Sequence, residues 1–377
     1  MTTPADAPII ESTAIRIGAL APLTRPGWTD AGRHLLAGLE LAVRDLNASG
    51  GIAGRPVALM VRDTAADPQQ AIAAIEDMAR AGVVAVAGEY HSVVARAAAA
   101  HAEALGMPFL CSSAVLDALT DLPVDKVARL SPPQSRGWTL FADYLLHAGH
   151  RQVAVAIHPN VYWASGVRIL RDRLTPRGAT VTEHDVRELT PSALCGQLVS
   201  DGATALLLLV GATDQAASLV KSIRTDARLS GLKLGAPAGQ PEFGGWMDAL
   251  GNAGAGIPFL RYRHERLSTA GANVERRLHD ALAEAPSFVA LEGYDTISVI
   301  ADVLRAQGLD ALRTAQAWSR VDTEGTRGRI RFSRMPGIPV WQWADAPIQV
   351  VERDEANPDD VRVLHSDDER RAMDMLA

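Results

Sequence analysis

From Ile15 onward, short apolar and β-branched runs alternate with longer stretches in which apolar positions recur every three or four residues. The short runs fit buried strands and the longer stretches amphipathic helices. Their strict alternation is the pattern of parallel strands joined by crossover helices. In the first repeat, an apolar run over 15–21 is closed by Pro22 and Gly27, and Leu35, Leu39, Ala42 and Leu46 then form one helical stripe that must face a sheet. Asn47 and Gly50-Gly51 stop that helix, because a left-handed C-cap costs least at glycine. A second strand is predicted over 57–61. Asp67-Pro68 opens the next helix with a capping oxygen and a proline where no amide is needed. Strands follow over 83–87 and from Pro108 to Leu110.

A second series starts near Pro132-Pro133, where paired prolines can continue neither neighbouring element. It predicts strands over 153–157, 179–183, 204–210 and 232–234, a recrossing over 258–263, a long helix over 288–305, and short strands over 341–364. With 377 residues the chain exceeds what one core usually supports. The expected fold is therefore α/β, with two doubly wound parallel-sheet lobes joined by a multi-strand hinge. Lobe 1 is expected over 13–132 plus 262–330 and lobe 2 over 133–261 plus 331–365, with tails at 1–12 and 366–377.

Charge and chemistry narrow the function. The net charge is −7, and no basic run interleaves with aromatics, so nucleic acid is not an expected partner. No apolar stretch reaches about twenty residues, so no membrane span is expected. The first dozen residues lack a basic start followed by an apolar segment. That places the chain in the cytoplasm if Met1 is its native start, and outside it if an export signal has been removed. Cys111 and Cys195 read as free thiols. His147 and His150 flank Gly149 at a helix end, where a histidine meets the helix dipole, and are set aside as metal ligands. The glycines of 251–256 lack the spacing of a dinucleotide loop, and no phosphate loop, zinc-spaced cysteine set or serine elbow is present. No catalytic residue, cofactor or metal is expected, and the chain is not expected to be an enzyme.

Four stretches go further: IRIGALAPLT with the later AGLELAVRDLNASGGIAGRPVAL; RDTAADPQQAIAAIEDMA; GVVAVAGEYHSVVARAAAAHAEALGMPFLCSSA; and FVALEGYDTISVIADVL. In this order and spacing the chain resembles the leucine/isoleucine/valine-binding branch of ABC-transporter substrate-binding proteins, over about 15–363. The resemblance implies a type I periplasmic-binding fold, monomeric or dimeric, whose lobes close on a small amino-acid-like, amide or carboxylate ligand and present it unchanged to a membrane permease. A second implied reading is a cytoplasmic sensor of the amide-sensing type, acting through a regulatory protein.

Ligands of open α/β sheets sit beyond the carboxyl ends of the strands. The loop Glu89-Tyr90-His91-Ser92 leads into a helix, so the helix start offers amides and Ser92 a hydroxyl to a ligand carboxylate; as a plain cap, Ser92 would serve structure alone. The resemblance places ligand contacts at Ser92 and at Ser112, Ser113 and Ala114, with Val115 where a hydroxyl residue is usual. In the second lobe it offers Tyr162 and Trp163, one ring covering the ligand, unless Trp163 packs in the core. The usual later aromatic is replaced by Ala212 and Thr213, and the turn Ala236-Pro237-Ala238 lacks the acid that would meet an ammonium. Glu242 follows, as a possible first-turn helix residue. Trp28, Tyr90, His91 and Tyr294 complete the candidates; a buried structural partner for the Tyr294 hydroxyl is an equal reading. The family's disulfide positions hold Ala66 and His91, so that bridge cannot form. With no ammonium partner, uncharged or acidic molecules are expected to bind better than branched-chain amino acids.

Overall fold

A computed structural model describes residues 14–211, 213–314 and 316–367. The residues expected as an N-terminal tail, Ala212, and the charged C-terminal run from residue 368 lie outside them. The chain divides into two compact units, Met1–Ser131 with Leu267–Ala346, and Pro132–Arg266 with Pro347–Ala377.

Unit 1 opens with β1 (Ile15–Ala21), α1 (Thr29–Ala48), β2 (Val57–Asp63), α2 (Pro68–Arg80), β3 (Ala85–Gly88), α3 (Ser92–Ala104), β4 (Phe109–Cys111) and β5 (Val127–Arg129). Local chemistry sets these bounds: Asp67 accepts from the Gln69 amide at 2.8 Å and Pro68 takes the first helical position of α2. The chain then builds unit 2 with α4 (Gln134–His147), β6 (Gln152–Ile157), α5 (Val161–Leu174), β7 (Thr180–Asp185), α6 (Pro191–Ser200), β8 (Ala205–Leu209), α7 (Thr213–Thr225), β9 (Lys233–Gly235), α8 (Gly244–Leu250) and β10 (Phe259–Arg261). Asn160 caps α5 by accepting from the Trp163 amide at 3.0 Å.

Returning to unit 1, the chain forms α9 (Thr269–Leu282), α10 (Phe288–Gln307), β11 (Thr323–Gly325), β12 (Gly328–Ile330), β13 (Phe332–Met335) and β14 (Ile338–Trp343). It ends in unit 2 with β15 (Gln349–Arg353) and β16 (Val361–Ser366). Unit 1 carries a seven-stranded sheet in the order β13-β14-β5-β4-β3-β1-β2, parallel except for the β13–β14 hairpin. Residues 332–343 thus extend the first sheet, where the sequence pattern assigns them to the second lobe; β14 pairs with β5, a three-residue strand too short to register as an apolar run. Unit 2 carries a parallel sheet β7-β6-β8-β9 and an antiparallel one β10-β15-β16, bridged where Ala236 meets Phe259. Ser366 ends β16 and Asp367 forms an ion pair with Arg136, so the last described residues are tied down rather than a free tail.

Both units bury their helical stripes. In unit 2, Leu206 and Leu208 of β8 meet Val220 and Ile223 of α7 and Leu198 of α6. In unit 1, α1 and α10 touch backbone to backbone: a Cβ on Gly38 would lie 1.9 Å from the Ala290 carbonyl oxygen, and one on Gly293 2.4 Å from that of Leu35. No larger residue fits at either position without parting the helices.

Candidate functional site

The loop after β3 is shaped by Gly88, whose φ of +113° is open to glycine and whose Cβ would fall 2.1 Å from the Leu20 carbonyl oxygen. It delivers Glu89, wholly buried, into the mouth of the sheet. The Glu89 carboxyl accepts from the amides of Tyr90 (2.8 Å) and His91 (2.9 Å) and from the Thr64 hydroxyl (2.7 Å). Its main-chain carbonyl accepts from Ser113 and Ala114, so one residue fastens both expected ligand loops. Burial pushes this carboxyl up to about 7 against the pull of those donors. The amides of Tyr90 and His91, just before the helix start expected to face a ligand carboxylate, are therefore satisfied by an internal carboxyl. The amides of Ser92 to Val94 precede the first α3 bond, from Ala95 to the His91 carbonyl, and are the opening amides of that helix.

Ser92 is 8% exposed and its Oγ accepts from the amides of Val115 and Leu116, both at 3.2 Å. With both acceptor positions occupied, that hydroxyl has only its hydrogen to offer. Ser112 and Ser113 are buried beside it, their hydroxyls 3.1 Å apart, and Ala114 is buried with them. Val115 contributes its amide to Ser92 in place of the hydroxyl usual at that position. Trp28, Tyr90 and His91 form an edge-to-face aromatic group, with centroids 5.5 Å apart in each successive pair. The Trp28 amide donates to His91 Nε2 at 3.0 Å, which requires that nitrogen unprotonated. Burial lowers the imidazole to about 4, so His91 is neutral at physiological pH and carries its hydrogen on Nδ1. Cys111 lies behind the serine loop, its thiol pushed up to about 12 by burial; it and Cys195 are free and buried.

Beneath the serines lies a group invisible to pattern reading. Ser131 Oγ is 2.8 Å from the Ser112 carbonyl oxygen and 2.7 Å from Glu292 Oε1. One hydroxyl hydrogen cannot serve two acceptors well, so the short contacts are satisfied together when Glu292 is a protonated acid donating to Ser131. Burial raises Glu292 to about 7, with Ser113, Ser131 and Arg327 opposing. Arg327, also buried, is 3.2 Å from both Glu292 and Asp295, and the Thr326 amide completes the Asp295 site at 2.6 Å. A neutral Glu292 balances this cluster as one guanidinium against one carboxylate.

Tyr294, a neighbour of both acids in sequence, points elsewhere. Its hydroxyl donates to Asp45, which also holds Arg277, at a point about 25 Å along α1 from Trp28 at 1.5 Å per residue. The structure does not bring Tyr294 to the serine loops.

In unit 2, Trp163 is 4% exposed and packs at 6.2 Å from Trp138, while Tyr162 is partly buried against both rings. Thr213 begins α7 beyond β8 and is partly buried. Glu242 does not stand open to a ligand: both of its carboxyl oxygens lie against Arg261 Nε, at 3.2 and 3.1 Å. Gln240, overlooked in the sequence, is 1% exposed and donates from Nε2 to the Val210 carbonyl oxygen at 2.8 Å. Among the described residues no cluster of histidines, cysteines and acids could hold a metal, and no helix is long and apolar enough to cross a membrane.

Each of the two α/β units carries polar loops at the carboxyl ends of its parallel strands, where open α/β sheets hold small ligands. The periplasmic binding protein family model matches residues 14–354, and the chain belongs to that family. It is 25% identical over 353 residues to the Leu/Ile/Val-binding protein homolog 3 of Brucella melitensis, covering 90% of this chain and 94% of that one. A shorter match, 34% identical over 122 residues, links it to the Brucella melitensis Leu/Ile/Val-binding protein homolog 7 and spans only 30% of that protein's length. Two solved structures share the type I periplasmic-binding fold. One is the branched-chain amino acid transporter substrate-binding protein LivJ of Streptococcus pneumoniae in complex with isoleucine, with a TM-score of 0.80, 18% identity, and coverage of 93% and 99% of the two chains. The other is an ABC-transporter solute-binding protein of R. palustris in complex with benzoate, with a TM-score of 0.76, 18% identity, and coverage of 94% and 96%.

Proposed function

We propose that this chain is the solute-binding receptor of an ABC-type uptake system, taking a small uncharged or acidic organic molecule such as an amide or carboxylate and passing it unchanged to a membrane permease. The observation that carries this reading is the group of buried serines at the strand ends of unit 1, with Ser92 left as a pure donor. A donor-only hydroxyl beside a helix start suits a ligand carboxylate or carbonyl oxygen. Of the acids at the unit 2 strand ends, Asp185 at the end of β7 is paired with Arg187 and Glu242 beyond β9 with Arg261, which disfavours a ligand whose recognition depends on an ammonium. Isoleucine and benzoate, bound by the two structural neighbours, share a carboxylate and differ in the ammonium.

A thermal-shift screen against amino acids, amides, and aliphatic and aromatic acids tests this. A ligand at a hundredfold excess over its dissociation constant adds about 2.7 kcal/mol. The expected result is one shifting class, amide or carboxylate, recovered intact and accompanied by compaction in solution scattering. Tighter binding of leucine than of every such compound refutes the ligand class, and turnover of the bound compound refutes the receptor.

A further inference from the structure

Two glutamines of unit 2 share an unusual arrangement. Gln134, at the start of α4, is wholly buried and donates from Nε2 to the Tyr162 carbonyl oxygen at 3.0 Å; Gln240 does the same to Val210 at 2.8 Å. Because each amide nitrogen faces a carbonyl, the orientation of both side chains is settled by chemistry, and each Oε1 points the other way. Neither Oε1, though buried, has a hydrogen-bond partner. Leaving one such acceptor dry costs about 1–3 kcal/mol, so a native site keeps it for something that donates.

The anchors also say where these oxygens stand. Val210 directly follows β8, Tyr162 lies two residues into the helix that follows β6, and Gln240 itself follows the loop after β9. β6, β8 and β9 are adjacent in the sheet, so both glutamines are pinned to the carboxyl edge where open α/β sheets bind ligands. Glu242 there is already paired with Arg261, their side chains 2% and 19% exposed, and Arg353 adds a second guanidinium that donates to the Pro241 and Glu242 carbonyl oxygens, so no acid beside Gln240 is left for an ammonium.

We propose that Oε1 of Gln134 and of Gln240 are ligand-facing acceptors, and that the ligand carries a neutral N–H or O–H donor, as in a carboxamide or hydroxyl group, rather than a free ammonium. This rests on the solute-binding reading above and names the ligand's polar group. Two neutral acceptors satisfy a neutral donor in full, whereas an ammonium desolvated against them has no counter-charge.

The test uses sets of probes that differ only in the polar group, measured by calorimetry on the whole chain: isovaleramide, isovalerate and isopentylamine, and benzamide, benzoate and benzylamine. The expected result is that an amide binds more tightly than its matching amine by at least about tenfold, the equivalent of one hydrogen bond. Gln240→Glu, and independently Gln134→Glu, should then shift the amide-to-amine ratio toward the amine, while Gln240→Leu lowers amide affinity. A purely structural glutamine would change both affinities together and leave the ratio fixed. An amine bound most tightly by the unaltered protein, or a ratio untouched in both glutamate variants that still unfold cooperatively, overturns the inference while leaving a solute receptor. Silence toward both sets, with binding elsewhere in the wider screen only to compounds lacking a neutral donor, overturns it equally; silence throughout removes the receptor reading on which it stands.

Discussion

Replacing Glu292 by glutamine should remove a pH dependence of stability that the unaltered protein shows between about pH 5 and 8. In the folded state Glu292 is wholly buried and raised from its ordinary 4.5 to about 7. In the unfolded chain it titrates near its ordinary value. Across the interval between the two, the folded protein holds a proton that the unfolded chain has released, so stability declines as pH rises and levels off above the folded value. A displacement of that size corresponds to about 3 kcal/mol at high pH. Glutamine donates to Ser131 as the protonated acid does and never ionises. Any offset from placing an amide beside Arg327 is the same at every pH, and Glu89, raised to a similar degree, is present in both proteins and cancels. Urea unfolding followed by tryptophan fluorescence at pH 5 and pH 8 reads the difference. The variant should gain about 2–3 kcal/mol on the unaltered protein between those values. If the two proteins respond to pH in parallel, Glu292 is ionised throughout and the reasoning from the single Ser131 hydrogen fails.

Three further outcomes follow from packing and burial. Glycine to alanine in a helix normally gains about 1 kcal/mol, and Gly196→Ala in α6, where nothing lies within 4 Å of the new carbon, should do so in thermal unfolding; Gly38→Ala should instead lose about 1–3 kcal/mol because the added carbon meets the Ala290 backbone. Native Cys111 and Cys195 should resist a thiol-disulfide reagent that titrates both after unfolding in urea, since both are buried and burial raises both thiols; rapid labelling of Cys111 in the folded protein would show that the serine loop opens far enough to expose it.

Much of the architecture is readable from the chain because strands such as 15–21 and helices such as α2 carry their own signals, an apolar run or an Asp-Pro start. The candidate loops are readable too, as polar residues placed directly after such strands. What escapes is polar and buried. Glu89, Glu292, Asp295 and Gln240 have the composition of surface residues, and only three-dimensional neighbours such as Thr64, Ser131 and Arg327 reveal their tasks. Tyr294 allows two readings in the sequence, a ligand contact or a structural partner for its hydroxyl, and its bond to Asp45 is of the second kind; it turns away from Asp295 because consecutive helical residues differ by about 100° in direction. The place of β13 and β14 in the first sheet escapes because β5, with which β14 pairs, spans only three residues and leaves no apolar run to match.

The contact between Gly38 and Gly293 also sets a schedule for synthesis. α1 leaves the ribosome well before α10, the helix it must touch, which is made roughly 240 residues later, a delay of roughly ten to fifty seconds at ordinary translation rates. During that wait the apolar side of α1, including Leu41, has no α10 to cover it, while unit 2 can assemble everything except its last two strands. The order of birth is thus inverted relative to the order of completion: α1, the first helix among the described residues, waits for one of the last, and the nascent chain needs shelter for that surface until Phe288 and the residues after it emerge.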